Sequence, residues 1–392
     1  MISKIESVET CVVTIPRETP YLGPLGESEE VNRKGYLVRS GNRTVYPSVD
    51  RSVIVKITDA NGTVGWGETY GICAPNAVTE IIEDLLAPVI EGRNALDVAC
   101  IHEDLYDMMH VRGYFGGFYL DALAAIDIAL WDIFGKHSNQ TVAQLLGGTR
   151  RKKIPAYVSG LPESTLEKRC ALAKKWQDKG FTGFKFAGVV SHEGMANEMA
   201  ALRETLGPDA DIMVDMHWKF SAAEATRVIK AMEPHNLYFA EAPCAPEDIE
   251  GLATVARSVA TPVAAGEEWR TVFEARERVN RNACSILQPE MGHTGITQFS
   301  RISQLAQAFH CRIIPHASIG VGIFQAASLH ASANVLHLPY HEYQHSVFDR
   351  NLQFLETDMD CRNGYFSLPS GPGLGVTPSK KLWAFSNKDL SS

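Results

Sequence analysis

No two cysteines stand in a Cys-x-x-Cys arrangement. The eight that occur, Cys11, Cys73, Cys100, Cys170, Cys244, Cys284, Cys311 and Cys361, are scattered. That excludes a zinc ribbon or a thioredoxin-type motif and makes reduced thiols in a cytoplasm the expected state. The amino-terminal stretch lacks the basic start and ~7–15-residue apolar core of a secretory signal. No apolar run reaches the ~18 residues of a membrane span, so no membrane partner is expected. Positive charge is short, with 37 Lys and Arg against 46 Asp and Glu and a net charge of -9. A broad basic face for nucleic acid is therefore not expected, and an anionic ligand would need a few local cations or a metal. No Gly-x-Gly-x-x-Gly follows the first strand-like run and no P-loop occurs, which counts against an open, doubly wound sheet. What is present is ordinary for a globular enzyme: of 392 residues, 45% are hydrophobic and 21% charged, which rules out a disordered chain, a collagen-like fibre and a coiled coil.

The chain divides by pattern. Residues 3–15 alternate and are rich in Val and Ile, as a strand requires. Two further strand-like runs, 51–58 and 64–68, flank Asp59-Ala60-Asn61-Gly62. Asn-Gly between such runs predicts a hairpin with positive φ at both residues. Helical periodicity covers 77–89, 99–109 and 119–135, the last apolar on most faces and therefore buried. Residues 1–135 thus read as an α+β domain. Within it, 17–50 resists regular assignment; Tyr21, Arg39, Arg43 and Tyr46 among glycines and prolines suggest a lid. From about residue 153 short apolar runs alternate with amphipathic stretches such as 164–179, 222–232 and 249–258. Eight such units over residues 136–362 predict a TIM-type barrel. The Gly/Pro-rich tail, 363–392, is expected to pack back on the first domain.

Lys185, Asp215, Glu241, Glu267, Glu290, His316 and Glu342 each end or nearly end a predicted strand, at successive spacings of 30, 26, 26, 23, 26 and 26 residues. Strand ends of a barrel open into one mouth, so polar residues recurring at the period of one βα unit converge. Asp215, Glu241 and Glu267 lie on three successive strands, and three carboxylates so close need a cation between them. Mg²⁺ suits an all-oxygen set with room for water and substrate. His316 is a candidate general base, and Glu290, one strand earlier, could accept its ring N–H and fix the tautomer.

The motifs GWGE (65–68), AAIDIALWDIFGK (124–136), the lysine of GFKFA, VDMH (214–217), FAEAP (239–243), AAGEE (264–268), LQPEMGHTGI (287–296), IIPH (313–316) and EYQ (342–344) occur in an order that resembles the mandelate racemase subgroup of the enolase superfamily. The resemblance covers nearly the whole chain. It implies an α+β capping domain on a (β/α)7β barrel, one without its eighth helix. It also implies Mg²⁺ and abstraction of a proton α to a carboxylate, giving an enediolate. Two departures stand out. Ala187 replaces the second lysine of the subgroup's Lys-x-Lys, and Glu290 replaces its usual aspartate. A two-base racemase is therefore not expected.

The sequence looks most like the acid-sugar dehydratases of that subgroup, with an aldarate such as galactarate as substrate and a 2-keto-3-deoxy acid as product. In that comparison His217 is a candidate acid for the departing hydroxyl. Lys185 is a cation at the substrate carboxylate, and Glu342, if protonated, is a hydrogen-bond donor to it. Tyr46, Tyr157, Lys185, His217 and the lid arginines Arg39 and Arg43 are candidate substrate contacts, the arginines for a second carboxylate. His293 reads as loop structure. The rival readings are a sugar-acid epimerase, a lactone cycloisomerase and a non-catalytic metal-binding barrel. An assembly of identical subunits is expected.

Overall fold

The computed structural model describes residues 3–317 and 319–391; residues 1, 2 and 392, the outer ends of the expected capping segment and tail, lie outside the described residues. A three-stranded antiparallel sheet, Ile5–Ile15, Asp50–Asp59 and Val64–Tyr70, opens the chain. The hairpin between the last two differs from the sequence reading. Of Asn61 and Gly62 only Gly62 has positive φ, at 77°. The Gly62 N–H donates to Asp59 O at 2.8 Å, and Asp59 Oδ1 accepts from the Asn61 and Thr63 amides. The aspartate side chain holds the Asn61 amide and leaves the left-handed position to glycine. Residues 17–50 are also less irregular than expected, because Tyr36–Val38 and Val45–Pro47 pair antiparallel.

Three helical segments over 75–90, then Val98–His110 and the long helix Gly117–Ser138, complete the capping half. The last runs three residues beyond the expected boundary at 135. Its small apolar stretch, Ala122 to Ala129, lies flat against the sheet because Gly65 and Gly67 present no side chain. A Cβ on Gly67 would stand 1.9 Å from Ala125 O. Gly67→Ala is expected to destabilise the fold by roughly 1–3 kcal/mol through this overpacking. An unfolding midpoint equal to the wild type's in urea would contradict that account.

Eight parallel strands form the second half: Lys153–Ser159, Gly183–Ala187, Asp211–Asp215, Leu237–Glu241, Val263–Ala265, Ile286–Leu287, Arg312–Ile313 and His341–Tyr343. The eighth pairs with the first, His341 opposite Ala156, and meets the chain after the seventh through Glu342 N–H to Pro315 O at 3.3 Å, which brings the barrel round on itself. Seven helices among the described residues return the chain between strands, two of them started by capping boxes, Ser221/Glu224 and Thr271/Glu274. After the eighth strand the described residues hold no full-length return helix: a seven-residue α-helix, His345–Asn351, is followed by 3-10 turns at Leu352–Phe354 and Leu382–Phe385. Tyr157, Met213, Phe239, Ala264, Ile286 and Ile314 fill the barrel interior. The tail does not all pack on the capping half. Tyr365–Ser367 pairs with the start of the first barrel strand, and only farther along does the chain reach the capping sheet, where Asn387 N–H donates to Val12 O at 3.0 Å. No described helix is long and apolar enough to cross a membrane.

Candidate active site

Alternation along each strand explains which residues reach the mouth. Phe184 and Phe186 turn outward to the helices, so Lys185 turns inward; Ile212 and Val214 turn outward, so Asp215 turns inward. Asp215 is level with Glu241 on one side and Ala187 on the other, while Lys185 is level with Met213, one layer deeper. A lysine at 187 would have stood beside the carboxylates; here that position is a buried methyl group.

Asp215, Glu241 and Glu267 offer carboxylate oxygens that all lie within 4.8 Å of one another. Glu241 Oε2 accepts from Lys185 Nζ at 2.6 Å and Gln288 Nε2 at 2.8 Å, whereas Glu241 Oε1 is buried with no hydrogen-bond partner. An orphaned carboxylate oxygen among three acids fits a hard divalent cation with oxygen ligands. Glu241, His316 and Glu342 also converge, but the Lys185 ammonium already lies between Glu241 and Glu342. Burial, reinforced by Asp215, Glu342 and Glu267, pushes the Glu241 carboxyl up to about 8 despite Lys185. Burial also raises Asp215, but His217 and Lys185 outweigh it and hold that carboxyl at about 2.

His316 stands between two acids, Nδ1 to Glu290 Oε2 at 2.7 Å and Nε2 to Glu267 Oε2 at 2.8 Å. Burial opposes its charge, yet Glu267, Glu342 and Glu290 raise its pKa well above the ordinary histidine value. The longer arm of Glu290 thus reaches the imidazole, and its other oxygen accepts from Gly292 N–H at 3.1 Å. Glu290→Gln is expected to lower kcat about 10²–10⁴-fold, because the imidazole stays but is less basic and less well held. A kcat within a few-fold of wild type would remove Glu290 from the machinery. His217 Nδ1 lies 3.0 Å from Asp215 Oδ1, and its backbone, in the left-handed region at φ 51°, donates to the same oxygen. Glu342 differs from the protonated donor considered above. Burial raises its carboxyl, but Lys185 at 2.9 Å and His316 hold it below the usual range, so it is the ionised partner of Lys185.

Asp215, His217, Glu267, Glu290 and His316 line a pocket whose outer wall comes from the capping half: Tyr21, Tyr46, Asp50, Arg51, Tyr70 and neighbours. The expected lid residue Tyr46 is there, its ring 6.0 Å from that of Tyr21. The expected arginines are not. Arg43, at φ 60° in the hairpin turn, is exposed outside the lining, and Arg39 is buried in a salt bridge to Glu29 with carbonyls at Tyr21, Gly23 and Pro24. Tyr157 is fully buried beneath Lys185, whose Nζ stands 5.6 Å from its ring centre, and does not reach the pocket. Arg51, Tyr70 and His293 were not singled out as contacts by the sequence. Arg51 opens the run 51–58 that read as capping-sheet structure, Tyr70 lies two residues past the run 64–68, and His293 read as loop.

The capping half also fixes the loop behind His316. Glu68, fully buried, accepts from the amides of Gly322, Ile323 and Phe324 at 3.1, 2.8 and 3.2 Å, at the start of the barrel helix Ile323–Asn334. It caps that helix from the other domain.

Residues 168–382 match the family model "Enolase C-terminal domain-like", and residues 43–147 match "Mandelate racemase / muconate lactonizing enzyme, N-terminal domain". The chain belongs to the enolase superfamily, in its mandelate racemase/muconate lactonizing branch. A D-galactarolactone cycloisomerase of Agrobacterium fabrum is 30% identical over 83% of this chain and 88% of that protein. A D-galactonate dehydratase of Cronobacter sakazakii is 31% identical over 85% of this chain and 90% of that one. A solved structure from Sinorhizobium meliloti, described as a "putative isomerase", is 58% identical with a TM-score of 0.97, covering 98% of this chain and 100% of that one.

Proposed function

We propose that this chain is a Mg²⁺-dependent hydro-lyase that dehydrates an acid sugar, an aldarate with galactarate as first candidate, to a 2-keto-3-deoxy acid in the cytoplasm. The observation that carries the reading is two histidines, His316 and His217, each held by a carboxylate, lining one pocket beside the acidic cluster. β-Elimination of water needs both a base for the α-proton and an acid for the leaving hydroxyl. His316 takes the α-proton, its ring aimed by Glu290. His217 gives its proton to the departing oxygen. Lys185, ion-paired with Glu241 and Glu342, supplies fixed positive charge under the floor. Asp215, Glu241 and Glu267 would hold Mg²⁺, which supplies positive charge to offset the substrate carboxylate and make the α-proton more acidic.

The second reading is a lactone cycloisomerase, supported by the Agrobacterium relative and by the lack of a second lysine base at Ala187. A panel of acid sugars and their lactones tests both. A keto acid one water lighter than an acid-sugar substrate supports the hydro-lyase; an isomeric product from a lactone alone replaces it with the cycloisomerase. Exchange of the α-proton in D₂O without loss of water would point to an epimerase.

Arg51 takes the place given to Arg43 as partner of a distal carboxylate. Its guanidinium is tied to the lid by Nη2 to Lys34 O at 3.0 Å and lies 4.9 Å from the Tyr36 ring centre. Arg51→Ala is expected to raise KM for a dicarboxylate about 10–100-fold more than for a sugar acid ending in a hydroxymethyl group, the value of a charged hydrogen bond. Arg43→Ala should change neither. Equal losses on both substrate classes would argue that Arg51 is no carboxylate clamp.

A further inference from the structure

His293 lies three residues beyond Glu290, not in a loop but in the first turn of the barrel helix Met291–Ala308, and that turn is fastened to the capping half. Thr69 Oγ1 donates to Gly292 O, and Asp127 accepts from Thr297 N–H at 3.0 Å. The His293 ring lies against Tyr70, centroids 4.7 Å apart, and lines the same pocket as His316 and His217. Its Nδ1 is 2.7 Å from Oδ1 of Asp121, which comes from the long capping helix. Arg270, from the loop after the fifth barrel strand, reaches both oxygens of that carboxylate, Nε to Oδ1 at 2.9 Å and Nη2 to Oδ2 at 3.2 Å. Asp121 is 4% exposed at its side chain and His293 18%, so the carboxylate is sealed while the ring keeps some exposed surface. No step of the elimination uses this assembly.

Its chemistry is constrained. Burial raises the Asp121 carboxyl, but His293 and Arg270 hold it below the usual range, so it is ionised. An ionised carboxylate only accepts, so Nδ1 of His293 carries the proton. Arg270 also binds Asp121, through both of its oxygens, so the carboxylate is held from two sides. A neutral ring with its proton on Nδ1 has a lone pair on Nε2, the atom on the far side of the ring from Asp121.

We propose that His293 is a specificity-determining residue that accepts a hydrogen bond from a substrate hydroxyl through Nε2, with Asp121 and Arg270 fixing its tautomer. The proposal rests on the reading of this pocket as a sugar-acid site, and names what the site reads besides carboxylates: a hydroxyl-bearing carbon on the side of the pocket facing Tyr70. A hydroxyl offers a proton to Nε2; a deoxy carbon or a carboxylate does not.

Two measurements test it. The first is kcat/KM for the preferred acid sugar and its single-deoxy analogues, in the wild type, His293→Phe and His293→Gln. The phenyl ring keeps the packing on Tyr70 and loses the acceptor; the amide restores one. The wild type should favour the hydroxylated substrate over one deoxy analogue by about 10–100-fold, the cost of a buried polar group left unpaired. His293→Phe should erase that preference through KM, and His293→Gln should restore part of it. Equal loss on all substrates, or a preference unchanged in His293→Phe, overturns the proposal. If the wild type turns over no sugar acid, the functional reading fails before any variant is compared. The second measurement needs no substrate: ¹⁵N spectra of the histidine rings at neutral pH. His293 should show a neutral Nδ1–H tautomer that shifts in Asp121→Asn. A proton on Nε2 in the wild type overturns the acceptor assignment whatever the substrate is.

Discussion

His316→Asn is expected to abolish both dehydration and α-proton exchange in D₂O, a loss on the order of 10⁴-fold or more, while Mg²⁺ affinity stays within a few-fold of wild type. His316 joins the barrel's acids at both ring nitrogens, to Glu290 and Glu267, and lines the pocket. The asparagine amide nitrogen is no base, and its shorter arm leaves the three expected ligands, Asp215, Glu241 and Glu267, in place. Lys185 is the competing base. Burial opposes its charge, while Glu241 and Glu342 raise its pKa well above the lysine value; its ammonium is ion-paired with both carboxylates and lies outside the pocket lining that His316 joins. Exchange that survives in His316→Asn but vanishes in Lys185→Met would transfer the role to Lys185. With His316 acting alone, exchange should occur at one α-configuration only, since a single base reaches one face of the substrate.

Glu241→Gln is expected to weaken Mg²⁺ binding at least about 100-fold, more than the loss typical of a residue that only supports a ligand, and turnover should fall with it. The substitution is nearly isosteric. Its amide oxygen can still accept from Lys185 or Gln288, the partners of Glu241 Oε2, so the fold should hold. What it removes is the negative charge and the second carboxylate oxygen, the one with no partner. Calorimetric titration of wild type and variant with Mg²⁺ reads the affinity directly, and the circular dichroism spectrum checks the fold. Wild-type activity unaffected by exhaustive chelation, or an intact affinity in Glu241→Gln, would dismiss this carboxylate set as the metal site.

The barrel and its ring of polar strand ends were legible because a βα unit has a nearly fixed length. A side chain at the end of one strand therefore repeats some 26 residues later, as Asp215, Glu241 and Glu267 do. Alternation then decides which residues face the mouth. The pocket wall obeys no such period. Arg43 and Arg51 are equally good cations on paper. The left-handed turn at Arg43 sends one into solvent, while the strand that begins at Asp50 carries the other to the cavity. His293 looked like loop because its partner, Asp121, lies 172 positions away on another domain. Glu68 hid for the same reason: inside GWGE it reads as a strand residue, and its work is done on a helix 253 to 256 positions later. Contacts between halves leave no local pattern to read.

The Glu68 cap bears on how such enzymes can be recombined. The pocket draws Tyr21, Tyr46 and Arg51 from the capping half and His217, His293 and His316 from the barrel, an arrangement that invites exchange of capping halves between relatives to change part of its wall. Glu68 limits that exchange, because the first turn after the loop of His316 is completed by a side chain from the incoming half. A chimera whose donor lacks a carboxylate at this position would bring new pocket walls and lose the stop that sets the histidine. Such a hybrid would bind the intended acid yet process it slowly, and supplying the glutamate alone should recover the rate.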